Sequence, residues 1–234
     1  MNQKLFVANW KEGPLTEALA VELAQLCDQE GTVICPPKKY IKTVFPILKH
    51  ASLGVQDGEG ATRLVAEGIK YAIVGHSSRR ANGETDEMVT SQIIALREQG
   101  IVPIVCVGEK REDRDLGKAQ EVVGKQLEAV LVALTGSETS TPVYIAYEPI
   151  WAISINQDGV AQPADADKVS KMLYYIQHRV GALKTPIHYL YGGSVDASTA
   201  AQFLLIPQVE GLLVGAASID PDRCRALIRV LSRT

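Results

Sequence analysis

Eight short runs of β-forming apolar residues recur along the 234 residues of this chain, each separated from the next by a longer stretch. They are Leu5 to Asn9, Thr32 to Cys35, Ser52 to Gln56, Tyr71 to Gly75, Ile101 to Val107, Val143 to Tyr147, Ile187 to Tyr191 and Gly211 to Gly215. In the stretches between them apolar residues return at helical spacing. Leu15, Leu19, Leu23 and Leu26 form one stripe, Val123, Leu127, Val130 and Leu134 a second, and Ala166, Val169, Leu173, Ile176 and Val180 a third. Each stripe marks a helix with one buried face. Strands that alternate with helices pair in parallel through right-handed βαβ units, and eight such units in this length predict an α/β fold closed into a single (β/α)8 barrel domain over residues 1–234. An open doubly wound sheet is the competing architecture. Its phosphate-binding turns, GxGxxG or GxxxxGK[ST], are missing after the first run, where Asn9-Trp10-Lys11-Glu12-Gly13 stands instead. No linker or low-complexity tract interrupts the pattern, and Gly136 to Thr141, rich in Ser and Thr, reads as a surface loop.

Composition narrows the function classes. Apolar residues make up 46% of the chain and charged ones 22%, with a net charge of -3, which offers no general attraction to nucleic acid or to an anionic membrane. Four cysteines, Cys27, Cys35, Cys106 and Cys224, have neither CxxC nor Cys/His metal spacing, and their apolar surroundings suit buried reduced thiols. The apolar part of the amino terminus is too short for a signal peptide, and no run approaches the ~20 residues of a membrane span. A cytoplasmic protein is expected.

A closed barrel of this type carries its active site at the carboxyl ends of its strands, so the polar residues that follow each run are the candidates. Asn9 and Lys11 follow the first, Gly75-His76-Ser77-Ser78-Arg79-Arg80 the fourth, Glu148 the sixth, Gly192-Gly193-Ser194 the seventh, and Gly215-Ala216-Ala217-Ser218 the eighth. Taken singly, Lys11 reads as a solvated loop residue, His76 as a turn histidine and Glu148 as a surface carboxylate at a strand end. Their convergence on one mouth favours a functional reading of all three. A buried apolar strand has no use for a charge at its end unless that end opens into a site, and Pro149 and Trp151 stop the strand just beyond Glu148. The low-bulk segments at Ser194, Gly215 and Ala216 let backbone N–H groups approach an anion, and a short helix from Ala216 would aim its positive end there. Alone, each is as well read as a tight turn. Together they fall after the last two strands, where barrels of this kind recurrently bind phosphate.

Six motifs in order resemble the triosephosphate isomerase family: Asn9-Trp10-Lys11, Val74-Gly75-His76-Ser77, Pro103-Ile104-Val105-Cys106-Val107-Gly108-Glu109, Ala146-Tyr147-Glu148-Pro149-Ile150-Trp151-Ala152-Ile153, Leu190-Tyr191-Gly192-Gly193-Ser194-Val195 and Leu213-Val214-Gly215. The resemblance spans nearly the whole chain and implies a TIM barrel that interconverts dihydroxyacetone phosphate and D-glyceraldehyde 3-phosphate, a glycolytic and gluconeogenic isomerisation that uses no metal and no organic cofactor. It implies Glu148 as base, His76 as electrophile, Lys11 as electrostatic stabiliser and Asn9 as a neutral donor beside it. Ser154, Ser194, Gly215 and Ala216, with Asn9 and Lys11, would bind the phosphorylated triose. A neutral His76 imidazole at the start of a helix is likewise implied, triosephosphate isomerases being the usual illustration of that argument.

The chain departs from the family in four places. Ser78 stands where the family usually has a glutamate near the lysine and the imidazole, so a functional but slower enzyme is expected. After Ile153 the family's glycine-threonine-glycine becomes Ser154-Ile155-Asn156, which stiffens the lid that should close over the site. Ala216 replaces a glycine and tolerates a positive φ poorly. Only 57–70 connect the third run to the fourth, much less than the family's loop there, which docks beside the partner's active site. The resemblance implies a homodimer, and the short loop after Gln56 a weakened dimer or a monomer. Two other functions stay open at this level: a different phosphosugar reaction on the same barrel, and a phosphate-binding scaffold without catalysis.

Overall fold

The computed structural model describes residues 4–135, 139–153 and 164–232. Eight parallel strands, β1 (Leu5–Asn9), β2 (Thr32–Cys35), β3 (Ser52–Val55), β4 (Tyr71–Val74), β5 (Val102–Val107), β6 (Val143–Tyr147), β7 (Ile187–Tyr191) and β8 (Gly211–Val214), pair in sequence order. β1 closes the ring on β8, with Phe6 opposite Leu212 on one side and Thr32 on the other. The open doubly wound alternative is thereby excluded. Strand ends differ from the sequence reading by one residue at most.

Period-two alternation separates two layers of core. Leu5, Val7, Val33, Cys35, Ile73, Ile104, Cys106, Ala146, Leu190 and Leu213 fill the barrel interior. β3 contributes Gly54 instead, because a Cβ there would lie 2.6 Å from the Cys35 sulfur and 2.9 Å from a Val33 methyl. Residues of opposite parity, such as Phe6, Ala8, Val105 and Leu212, join the helices in the larger outer core. Carried one step further, the inward parity decides the mouth of the barrel. Leu5 and Val7 lead to Asn9, and Tyr144 and Ala146 to Glu148, while β4, β5, β7 and β8 lead to Gly75, Gly108, Gly192 and Gly215. β3 leads in the same way from Gly54 to Gln56, so three polar side chains stand above the packed interior, among strand ends that leave them room.

The second and third helical stripes fall on Ala119–Leu134 and Ala166–Val180, where Val123, Leu127, Val130, Leu134, Val169, Leu173, Ile176 and Val180 are buried. The first stripe begins too early. Leu15 is 90% exposed, because Thr16 takes the N-cap of helix Glu17–Cys27 and accepts the Leu19 N–H, which leaves Leu15 outside the helix. The buried face runs instead through Ala20, Leu23, Ala24 and Cys27. All four cysteines are buried and unbridged, with the Cys27 and Cys224 sulfurs in a 3.1 Å hydrogen bond that joins the first helix to the last, Pro221–Leu231. Among the described residues no helix is long and apolar enough to cross a membrane.

Candidate active site

Glu148 is 4% exposed, at the inward end of β6. Its Oε1 lies 3.0 Å from Nε2 of His76, itself 4% exposed, and its Oε2 faces the Ser77 N–H at 3.4 Å. His76 caps the short helix Ser77–Ala81: its Nδ1 accepts the Ser78 N–H at 3.2 Å and has the Ser78 hydroxyl at 2.8 Å. A ring nitrogen that accepts a backbone N–H carries no proton of its own, which leaves Nε2 as the donor of the ring. No aligned hydrogen bond occupies that Nε2 among the described residues. Its contact with Oε1 is a close, off-line approach, and both groups remain available to a ligand.

Lys11 is held by its backbone. It has φ 51°, the only positive value at a non-glycine position among the described residues. That strained conformation is over-determined on both sides. The Lys11 N–H donates to Asn9 Oδ1 at 3.2 Å, and Gln56 Nε2 donates to the Lys11 carbonyl at 2.8 Å and to the Cys35 carbonyl at 3.0 Å. The side chain then leans over β8. A Cβ on Gly215 would sit 3.2 Å from the Lys11 Cε, so a glycine there lets the ammonium lie beside the β8 turn. Among the described residues no carboxylate pairs with Lys11.

Asn9, Lys11, Glu148, Ser194, Gly215 and Ala216 line one cavity of about 320 Å³. His76 lines an adjoining cavity of about 500 Å³ that shares Asn9 and Lys11 with the first. Of the candidate site residues, Ser154 lies outside the described residues, as do Ile155 and Asn156 of the expected lid and residues 136–138 of the expected surface loop. The helix expected at Ala216 is a single 3-10 turn, Ala216–Ser218, tied back by the Ser218 hydroxyl to the carbonyls of Gly215 and Val214. Ala216 needs no positive φ, so its Cβ brings no backbone strain. Gly193 is a stricter requirement: a Cβ there would fall 2.1 Å from the Tyr191 hydroxyl.

Two residues escaped the sequence reading. Gln56 ends the third apolar run, and its place among strand ends was the signal that could have found it. Glu109, quoted inside a motif but given no role, is 1% exposed and accepts Trp151 Nε1–H at 2.7 Å and the Tyr147 hydroxyl at 3.1 Å. Burial raises its pKa against those donors and the nearby Arg114. The Arg114 guanidinium also sits 4.1 Å over the Trp151 ring, and the Ala152 carbonyl accepts the Ser194 N–H at 2.8 Å. The segment Ile150–Ala152 is thus fastened both to β5 and to the turn after β7. Among the described residues no cluster of three or more His, Cys, Asp or Glu side chains could hold a metal ion.

A barrel with a carboxylate, an imidazole and an ammonium at its carboxyl-end mouth has the form of an enzyme that works by acid–base and electrostatic chemistry. The family model described as triosephosphate isomerase matches residues 4–231. Triosephosphate isomerase of Herminiimonas arsenicoxydans is 35% identical over 98% of this chain and 99% of its own length. Those of Halorhodospira halophila, at 35% over 95% of both chains, and Alkalilimnicola ehrlichii, at 36% over 95% of this chain and 96% of its own, are comparably similar. The chain belongs to the triosephosphate isomerase family.

Proposed function

We propose that the protein interconverts dihydroxyacetone phosphate and D-glyceraldehyde 3-phosphate through an enediolate, with Glu148 as base, His76 as electrophile, Lys11 as electrostatic stabiliser and Asn9 as a donor beside it. The observation that carries this reading is the 3.0 Å approach of the buried Glu148 carboxylate to His76 Nε2, beside a cavity that Lys11 and the turns of β7 and β8 enclose. Glu148 takes the proton from the hydroxyl-bearing carbon and returns it to the neighbouring one. Its 3.4 Å contact with the Ser77 N–H is too long to hold it back. The Nε2–H of His76 and the ammonium of Lys11 meet the negative charge that develops on the two oxygens. Ser194, Gly215 and Ala216 hold the phosphate, and Ser154 joins them. The mechanism uses no metal and no organic cofactor. Glu148→Gln tests it: kcat for glyceraldehyde 3-phosphate should fall by about 10³-fold, within the usual range for a positioned base, with KM changed little. Equal activity would remove Glu148 from the mechanism.

We also propose that residues 1–234 form one domain that works in the cytoplasm, and that the protein is a weak homodimer or a monomer. Support for the last comes from the connection between β3 and β4, where the only regular element is the short helix Ala61–Ala66.

A further inference from the structure

We propose that the site accepts 2-ketose 1-phosphates of four or more carbons, whose chain beyond the reacting carbon lies in the second cavity beside Lys11 and His76. The proposal rests on the isomerase reading above. At about 500 Å³ the second cavity is larger than the one assigned to the triose, about 320 Å³, and each falls within the ordinary size of a ligand pocket. Glu148 faces the first cavity and His76 the second, while Asn9, Lys11 and Glu12 border both. Because Glu148 and His76 approach to 3.0 Å, the carbons they act on sit at the junction. A ligand with its phosphate at Ser194 and Gly215 therefore points its far end through the junction into the second cavity. A triose stops there. One further hydroxymethyl group, a carbon and an oxygen, has about twice the bulk of a water molecule, ~60 Å³, so several fit.

The walls favour hydroxyl groups over a second anion. Lys11 lies at the junction with the first cavity, and the two cations beyond it are already neutralised: Lys38 pairs with the buried Asp57 at 3.0 Å, and Arg79 with Glu84 at 3.0 Å and Glu59 at 2.8 Å. Gln56, Ser78 and Asn82 add polar groups without charge. Two features open the space: a serine of little bulk at position 78, and the short 57–70 connection, whose helix turns Leu64 into the core.

The chemistry is unchanged and balanced. The C–H bond at the hydroxyl-bearing carbon next to the ketone breaks, and its electron pair becomes the C=C of the enediolate. Glu148 carries the proton and returns it to the same carbon or to its neighbour. Return to the same carbon from the same face restores the centre, with solvent deuterium in place of the hydrogen, and return to the neighbour moves the ketone along the chain as the hydroxyl proton passes to the other oxygen.

Proton NMR in D2O tests the proposal, with dihydroxyacetone phosphate and erythrulose 1-phosphate supplied separately to the full-length enzyme. Both should exchange the hydrogen on the hydroxyl-bearing carbon, with kcat/KM for the four-carbon ketose within about 100-fold of the triose. Asn82→Trp and Lys38→Trp, at exposed positions on the wall, should each cut four-carbon exchange at least tenfold and leave triose exchange within twofold, which also shows that the variants fold. Triose exchange without four-carbon exchange above the enzyme-free rate overturns the extended site and leaves the isomerase reading intact. Four-carbon exchange that neither tryptophan diminishes overturns the assignment to this cavity. Exchange of neither substrate sinks the isomerase reading and this proposal with it.

Discussion

Lys11 shows how much of a site can be spent on holding one residue. A non-glycine φ of 51° is costly, and it persists because Asn9 accepts from the Lys11 N–H while Gln56 donates to its carbonyl. Gln56→Leu removes the second tether and keeps the volume. We expect kcat/KM to fall about tenfold, or ~1.4 kcal/mol of transition-state stabilisation, while the thermal midpoint moves by only a few degrees. Steady-state kinetics beside a melting curve would check it, and an unchanged kcat/KM would show that Asn9 alone suffices. Lys11, His76 and Glu148 stood out in the sequence because ionisable side chains at the ends of apolar runs are conspicuous. Gln56 was not, since its contribution is a pair of hydrogen bonds to carbonyls 45 and 21 residues away.

Elements are joined by polar clasps that no periodicity announces. Asp28, just after helix Glu17–Cys27, accepts the N–H groups of Lys49, His50 and Ala51 and so ties that helix to the start of β3. Partial burial opposes its ionisation, but the three donors outweigh it and hold the carboxyl below its usual range. Because the folded pKa is depressed, this stabilisation is present above the ordinary carboxylate range and is lost as pH falls through the folded value. Asp28→Ala should therefore cost about 1–2 kcal/mol at pH 7 and progressively less in acid, by denaturant titration at several pH values. Arg97 forms a second clasp. At 1% exposure it donates to the carbonyls of Thr139 and Thr141 and to the Thr185 hydroxyl, binding helix Asp86–Glu98 to the approaches of β6 and β7. Arg97→Leu leaves the buried Thr185 hydroxyl and the half-buried Thr139 and Thr141 carbonyls without this donor, and a loss of about 2–3 kcal/mol is expected from chemical unfolding, with isomerase activity of the folded fraction intact. An arginine between a helical stripe and a turn reads as surface in sequence; only its partners make it interior.

For the whole molecule, the short connection between β3 and β4 is the departure with the widest reach. Less loop leaves less area to bury against a second copy, so sedimentation across a dilution series should show monomer at nanomolar concentration. A tight dimer there would refute weak association. The sequence by itself determined the architecture, because eight β-runs alternating with amphipathic stripes have few ways to bury every face, and closing the ring removes both sheet edges. It also placed Asn9 and Glu148 at the mouth of the barrel, since inward parity continues to them from the interior layers. Tertiary structure alone decided how those residues meet: the close approach of His76 Nε2 to Glu148, the clamp on Lys11, and a second cavity larger than the first. Each of these rests on distances between strands far apart in the chain, and spacing along a sequence carries no record of such distances until the barrel closes.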